Sequence, residues 1–284
     1  MRIRTASALL GVLAVGVSAC ASPASPAPAA PAVSVSTPAA APLRSTPEPA
    51  PPPVTWQVGA HPLPRRADGL GQVLPTPPEL IDRSLPTVDV LPPPTGGKYA
   101  ATVRPVPADV LARSTWQPAC PVASTALRYL TMSFWGFDGR AHTGEMLVNA
   151  SVADNVTKAF AKLYTRKFPL EEMRVTRPDE LTAPPTGDGN STSAFVCRPA
   201  RGLTTWSAHA YGLAVDVNPF CNPYTKGDLV LPELASAYVD RSRIRPGMVR
   251  VGDPTVQAFT SIGWTWGGAW TTPKDRMHFT ATGK

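Results

Sequence analysis

The stretch Trp206-Ser207-Ala208-His209-Ala210-Tyr211-Gly212-Leu213-Ala214-Val215-Asp216-Val217-Asn218-Pro219 decides how this chain is read. From Ala214 to Asn218 it alternates, with Val215 and Val217 on one side and Ala214, Asp216 and Asn218 on the other. That is the period-2 pattern of a strand with one face in a core. Asp216 is therefore expected on the open face of a sheet, and Gly212 lets the chain turn so that His209 reaches the same point. The segment Asp275-Arg276-Met277-His278-Phe279-Thr280 repeats the scheme, with Met277 and Phe279 facing one way and His278 and Thr280 the other. Two neighbouring strands would then present His209, Asp216 and His278 to one centre, with Asp275 beside it.

Two histidines and a carboxylate suit one zinc ion. A catalytic zinc takes three protein ligands, keeps one position open for water, and works beside a base that accepts that water's proton. Asp275, three positions before His278, is the candidate base. A lone histidine–aspartate pair is weak evidence, because such pairs are more often structural. The second cluster raises the weight: two of only four histidines fall in these alternating segments, rich in glycine and tryptophan. Ser207, Tyr211 and Trp266 flank the ligand candidates and are expected to contact substrate. The tryptophans at 264, 266 and 270 are expected to build core and cleft wall.

These residues resemble a known family. Ser207-x-His209-x-x-Gly212-x-Ala214-x-Asp216 is similar to the zinc signature of the M15 peptidases, the D-alanyl-D-alanine carboxypeptidase and L-alanyl-D-glutamate endopeptidase group. Trp264-x-Trp266-Gly267-Gly268-x-Trp270, followed by Asp275-x-x-His278-Phe279, resembles the closing motif of its endopeptidase-like branch. Further likeness lies in Cys120-Pro121-Val122, Gly136-Phe137-Asp138-Gly139, Phe168-Pro169-Leu170, Thr192 to Arg198 and Asn222-Pro223-Tyr224. The resemblance runs in order over about residues 112 to 281. It implies an α+β fold of the Hedgehog/DD-peptidase type, a small antiparallel sheet with flanking helices. It also implies zinc on His209, Asp216 and His278, Asp275 as base, and Arg198 steadying the substrate carbonyl. Carboxypeptidase branches often carry glutamate where Asp275 stands, and Cys221 stands where relatives usually lack a cysteine.

The N-terminus speaks for export. Arg2 and Arg4 precede an apolar run from Ala8 to Val17, too short to span a bilayer and typical of a signal peptide. Val17-Ser18-Ala19-Cys20 then looks like a bacterial lipobox, so residues 1–19 are read as a signal peptide and Cys20 as the acylated N-terminus. An ordinary signal peptide with Cys20 incidental is the alternative. Lipid anchoring on the outer face of the cytoplasmic membrane follows from the first reading. Residues 20–55 are dominated by alanine, proline, serine and threonine, and cannot bury enough side chain to offset ordering. As a tether they would reach ~90 Å. Residues 56–111 show no sustained period and read as a wrapping extension or disorder.

Residues 112–284 then form one domain of ordinary size. Leu127 to Phe134 and Glu145 to Asn149 have strand character. Ser151 is expected to cap a helix running through Lys167, with Val152, Val156, Ala159, Phe160 and Leu163 as its stripe. Asp253-Pro254 reads as N-cap and first helical residue, and Gly263 closes that helix. Strands and helices mix without βαβ alternation, so α+β is preferred.

Beyond Cys20, Cys120, Cys197 and Cys221 allow one bridge and one free thiol. Cys120 and Cys197 both lie in segments that resemble the family, which favours that pair over Cys197–Cys221. Zinc-binding cysteines are disfavoured, since CxxC spacing is missing.

A net charge of +7 is spread without a dense basic run, so nucleic acid is not the expected partner. Arg198 and Arg201 near the site would instead draw carboxylates of a peptide. His142 reads as a turn residue, and His61 has no evident partner. The chain is expected to act as a monomer. Two functions stay open: a zinc peptidase cutting an amide in the peptidoglycan stem, and a non-catalytic wall-binding lipoprotein that keeps the fold.

Overall fold

A computed structural model describes residues 56–283. The signal peptide, the lipobox with Cys20 and the Pro/Ala-rich linker lie outside the described residues. The elements run α1 (Pro78–Ile81), β1 (Ala101–Pro105), α2 (Ala108–Ala112), β2 (Leu127–Trp135), β3 (Ala141–Asn149), α3 (Ala153–Thr165), β4 (Glu172–Met173) and β5 (Ser191–Thr192). They continue with β6 (Ala214–Asp216), β7 (Tyr224–Lys226), β8 (Leu229–Leu231), α4 (Pro254–Thr260), β9 (Thr265–Trp266), β10 (Lys274–Asp275) and β11 (His278–Thr280).

The architecture is α+β, with its antiparallel strands divided among three small sheets rather than gathered in one. The sheets are ordered β1-β2-β3, β10-β7-β8 and β6-β11-β9, with a parallel pair β4-β5 beside them. The long hairpin β2-β3 supplies the scaffold. Its inward residues Leu130, Met132, Phe134, Met146 and Val148 join Val156, Phe160 and Leu163 of α3 in the main core. The i, i+4, i+7 spacing of those α3 residues is what lets one helical stripe meet the sheet. Val215 of β6, Val217 just beyond it and Phe279 of β11 enter the same core, and Phe279 stacks on Phe259 at 4.1 Å. Burying one face of β6 and β11 fixes their register, because a one-residue slip would turn every apolar side chain outward.

Asp253 caps α4 as its sequence suggests, accepting from the Thr255 and Val256 amides with Pro254 in the first turn. The cap of α3 differs from expectation. Val152 occupies the cap position without a side-chain bond, while Ser151 donates its hydroxyl to Asn149 Oδ1 at 2.9 Å. Ser151 finds a partner in the preceding turn, and the helix start is held by core packing instead.

Residues 56–111 are mostly irregular yet well attached. β1 pairs antiparallel with β2. Leu80 and Leu85 pack in a second cluster with Phe220 and Tyr238. Arg83, fully buried, makes a bidentate pair with Glu171 at 2.6 Å. A buried ion pair is costly unless its geometry is good, so this one fixes where the segment lies.

Candidate metal centre

His209 reaches the site from a short 3-10 turn, Ala208–Tyr211. Ser207 starts that turn by accepting from the Ala210 amide, and its hydroxyl donates to the Arg198 carbonyl at 3.0 Å. Gly212 ends it in the left-handed region at φ +67°. A Cβ there would lie 2.6 Å from the Asn149 amide nitrogen, so glycine is required both by conformation and by the close passage of β3. The chain then enters β6, where Asp216 lies directly opposite His278 of β11. Asp216 is also tied on its other edge, exchanging backbone hydrogen bonds with Ser193.

The three side chains converge. His209 Nε2 stands 3.1 Å from His278 Nδ1 and 3.3 Å from Asp216 Oδ2, and His278 Nδ1 is 3.1 Å from Asp216 Oδ1. Zinc–ligand bonds of about 2.0–2.1 Å at tetrahedral angles separate the donors by ~3.3 Å, so the spacing fits one zinc ion. The donor chemistry fits too. His209 Nδ1 donates to the Ala194 carbonyl at 2.6 Å, which fixes the tautomer and leaves Nε2 with its lone pair toward the centre. Burial would raise the Asp216 carboxyl, but His209 and His278 outweigh it and hold the group well below the usual carboxylate range.

Asp275 comes from β10, whose partner is β7. Gly267 lies flush against it, since a Cβ there would meet the Asp275 carbonyl oxygen at 2.6 Å. Asp275 Oδ1 is buried and accepts no hydrogen bond from the described residues. Burial and the neighbouring Asp216 push its carboxyl up to about 7, against the opposing pull of His278, Arg201 and Arg198. A buried carboxyl beside the three donors is placed to take up and give back a proton.

These groups line a cavity of about 820 Å³. Arg198, Arg201, Trp206, Tyr224, Trp270 and Met277 line it as well. The Trp270 ring stands 5.6 Å from that of His278. Among the described residues Arg198 has no carboxylate partner; burial and the adjacent Arg201 lower its pKa, while Asp216 and Asp275 attract it. The preceding residue, Cys197, is bridged to Cys120, and Cys221 is free and buried. The disulfide therefore pairs the two cysteines of the resembling segments.

The structure thus brings together His209, Asp216, His278, Asp275, Arg198 and Ser207. It does not bring Tyr211 or Trp266 to the cavity. Tyr211 points to solvent at 38 % exposure, because it follows His209 on the outer side of the turn. Trp266 is buried in the core and donates Nε1 to the Arg276 carbonyl at 2.8 Å. Met277, expected to face the same way as Phe279, lines the cavity instead, since β11 begins only at His278. Sequence reasoning missed Trp206 and Tyr224 as cavity residues; each borders a quoted motif, but their aim depends on loops. His142 is not in a turn. It lies in β3, buried between Asp89 and Asp138.

Residues 201–281 match the family model for D-alanyl-D-alanine carboxypeptidase, of the M15 peptidases. The matched stretch carries His209, Asp216, Asp275 and His278 and covers less than a third of the 284 residues. It implies the Hedgehog/DD-peptidase fold, in keeping with the small antiparallel sheets around the site. Searches of curated proteins and of solved structures gave no match.

Proposed function

We propose that this chain is a zinc-dependent peptidase that hydrolyses an amide bond in the peptide stem of peptidoglycan. One observation carries the reading: three donors at tetrahedral spacing lie on the wall of an open cavity, beside a buried carboxylate oxygen with no partner. His209, Asp216 and His278 would hold the metal. Zinc bound there supplies Lewis acidity and brings the pKa of a water toward about 7.

The chain's own residues do the rest. Asp275 accepts the proton of the attacking water and passes it to the departing amine. Arg198, without a carboxylate to neutralise it, faces the negative charge that grows on the carbonyl oxygen. Trp270 and Met277 give the cavity an apolar wall beside these groups. A wall-binding protein without activity has no need of an unpartnered carboxylate beside the three donors. Digestion of purified muropeptides, with products weighed by mass spectrometry, tests the reading. Loss of one terminal residue, or a cut within the stem, supports it and names the bond; intact muropeptides with zinc-loaded protein overturn it.

Anchoring through acylated Cys20 belongs to the same proposal, and rests on the sequence. Among the described residues no helix is long and apolar enough to cross a membrane. Fractionation of cells with labelled fatty acid tests it: label and membrane partition are expected in the wild type and lost in Cys20→Ser.

A further inference from the structure

A second cavity, of about 870 Å³, shares Arg198, Arg201, Leu231 and Pro232 with the first. Its far wall is the segment 58–70, which lies outside the stretch matched by the family model. That wall is fixed in place. Trp56 Nε1 donates to Asp188 at 2.9 Å, the Leu63 amide to the Pro185 carbonyl at 2.7 Å, and the Gly71 amide to Glu233 at 2.8 Å. Between these ties the chain folds back on itself, with Arg66 N bonded to Leu70 O at 2.7 Å.

The charges on this cavity are unequal in their commitments. Two carboxylates are paired with arginine, Asp68 with Arg66 and Glu180 with Arg174, while Asp188 and Glu233 keep their charge and turn their oxygens to neutral donors, Trp56 and Thr186 for the first and the Gly71 amide for the second. Arg174 and Arg177 spend their charge on Glu180 and Asp179. Arg65, Arg198 and Arg201 have no carboxylate partner among the described residues. Arg65 donates only to the Gly69 carbonyl, and Arg201 is exposed. Uncommitted guanidinium groups on a preformed concave wall favour a carboxylate ligand.

We propose that this second cavity is a subsite for an acidic segment of a peptide substrate, whose carboxylate is held by Arg65 and Arg201 while the chain continues past Arg198 to the cleft. The inference rests on the peptidase reading and adds that the scissile amide lies within a longer acidic peptide.

Calorimetry on the full chain carrying Asp275→Asn, with two peptides differing only by glutamate or glutamine at the distal end, tests it. The glutamate peptide is expected to bind about tenfold more tightly. Arg65→Glu should remove that preference and Arg65→Gln weaken it. Lys158→Glu, the same charge change on the exposed face of α3, should leave it intact. Equal affinities in the parent, a preference that survives Arg65→Glu, or equal loss in Lys158→Glu overturns the proposal. Hydrolysis by the wild type without any dependence on Arg65 sinks the subsite alone. Dependence of binding on Arg65 without hydrolysis sinks the peptidase reading alone.

Discussion

Two clusters in this molecule are made of the same materials, histidine and aspartate, and differ in every respect that matters for chemistry. At His142 each ring nitrogen has its own carboxylate, Asp89 at 2.8 Å on Nδ1 and Asp138 at 3.1 Å on Nε2. Phe134 stacks on the ring at 5.4 Å, and Gly136 passes so close that a Cβ would sit 2.6 Å from Nε2. Both ring nitrogens are engaged, and the side chain is buried. At His209 and His278 the nitrogens of two rings point at each other and at Asp216, at the edge of a cavity. Residue type does not distinguish a binding site from a structural latch. Convergence of donors on open volume does.

The comparison breaks most sharply on metal content. The double substitution His209→Ala with His278→Ala should abolish zinc binding and bring hydrolysis to background, while His142→Ala keeps one zinc per chain by elemental analysis. Zinc lost equally from both variants would erase the distinction. Next in size is Asp275→Ala, which should retain zinc and slow hydrolysis by roughly two to four orders of magnitude. Loss of metal in that variant would make Asp275 a ligand rather than a base.

A smaller effect separates the clusters by pH, in protein stripped of metal. Asp275 is pushed up to about 7 from an ordinary carboxylate value. The unfolded chain therefore ionises first as pH rises, and the group costs stability progressively until pH passes 7. Asp275→Asn should raise the stability of the stripped protein at pH 7.5 by of order 2–4 kcal/mol, and by little near pH 4. Denaturant titration at both values measures it; an equal shift at both would deny the raised pKa.

Asp138 is expected to behave oppositely. Burial would raise it, but the Arg140 amide and His142 outweigh this and lower it to about 2. Its contribution is present above the usual carboxylate range and fades as pH falls toward 2. Asp138→Asn should cost ~1 kcal/mol at neutral pH, a loss of about 2–4 °C in melting temperature, without change in zinc or turnover. A fall in zinc content would tie the latch to the site.

Legibility in the sequence followed locality. Alternation at Ala214–Asn218 and at Met277–Thr280 exposes the sides of β6 and β11, and two short strands that pair in register place Asp216 opposite His278. Gly212 is readable for the same reason, because its constraint acts within its own turn. Trp266 and Tyr211 were misplaced because a side chain near a ligand motif can face cavity, core or solvent according to a loop's path. The wrap from 56 to 111 was harder still. Its anchors Arg83 and Asp89 bond to Glu171 and His142, 88 and 53 positions away, and no periodicity records a contact of that kind. The cap of α3 failed for a related reason: Ser151 had a closer acceptor in Asn149.

The bridge between Cys120 and Cys197 joins segments 77 positions apart and ends one residue short of Arg198. Closing so long a loop removes much freedom from the unfolded chain. Arg198 thus hangs from a bond that only an oxidising surrounding can make. Without the bridge, the backbone of this arginine would keep its hydrogen bonds to Ser207 and Val196 and lose its one covalent link to the Cys120 segment.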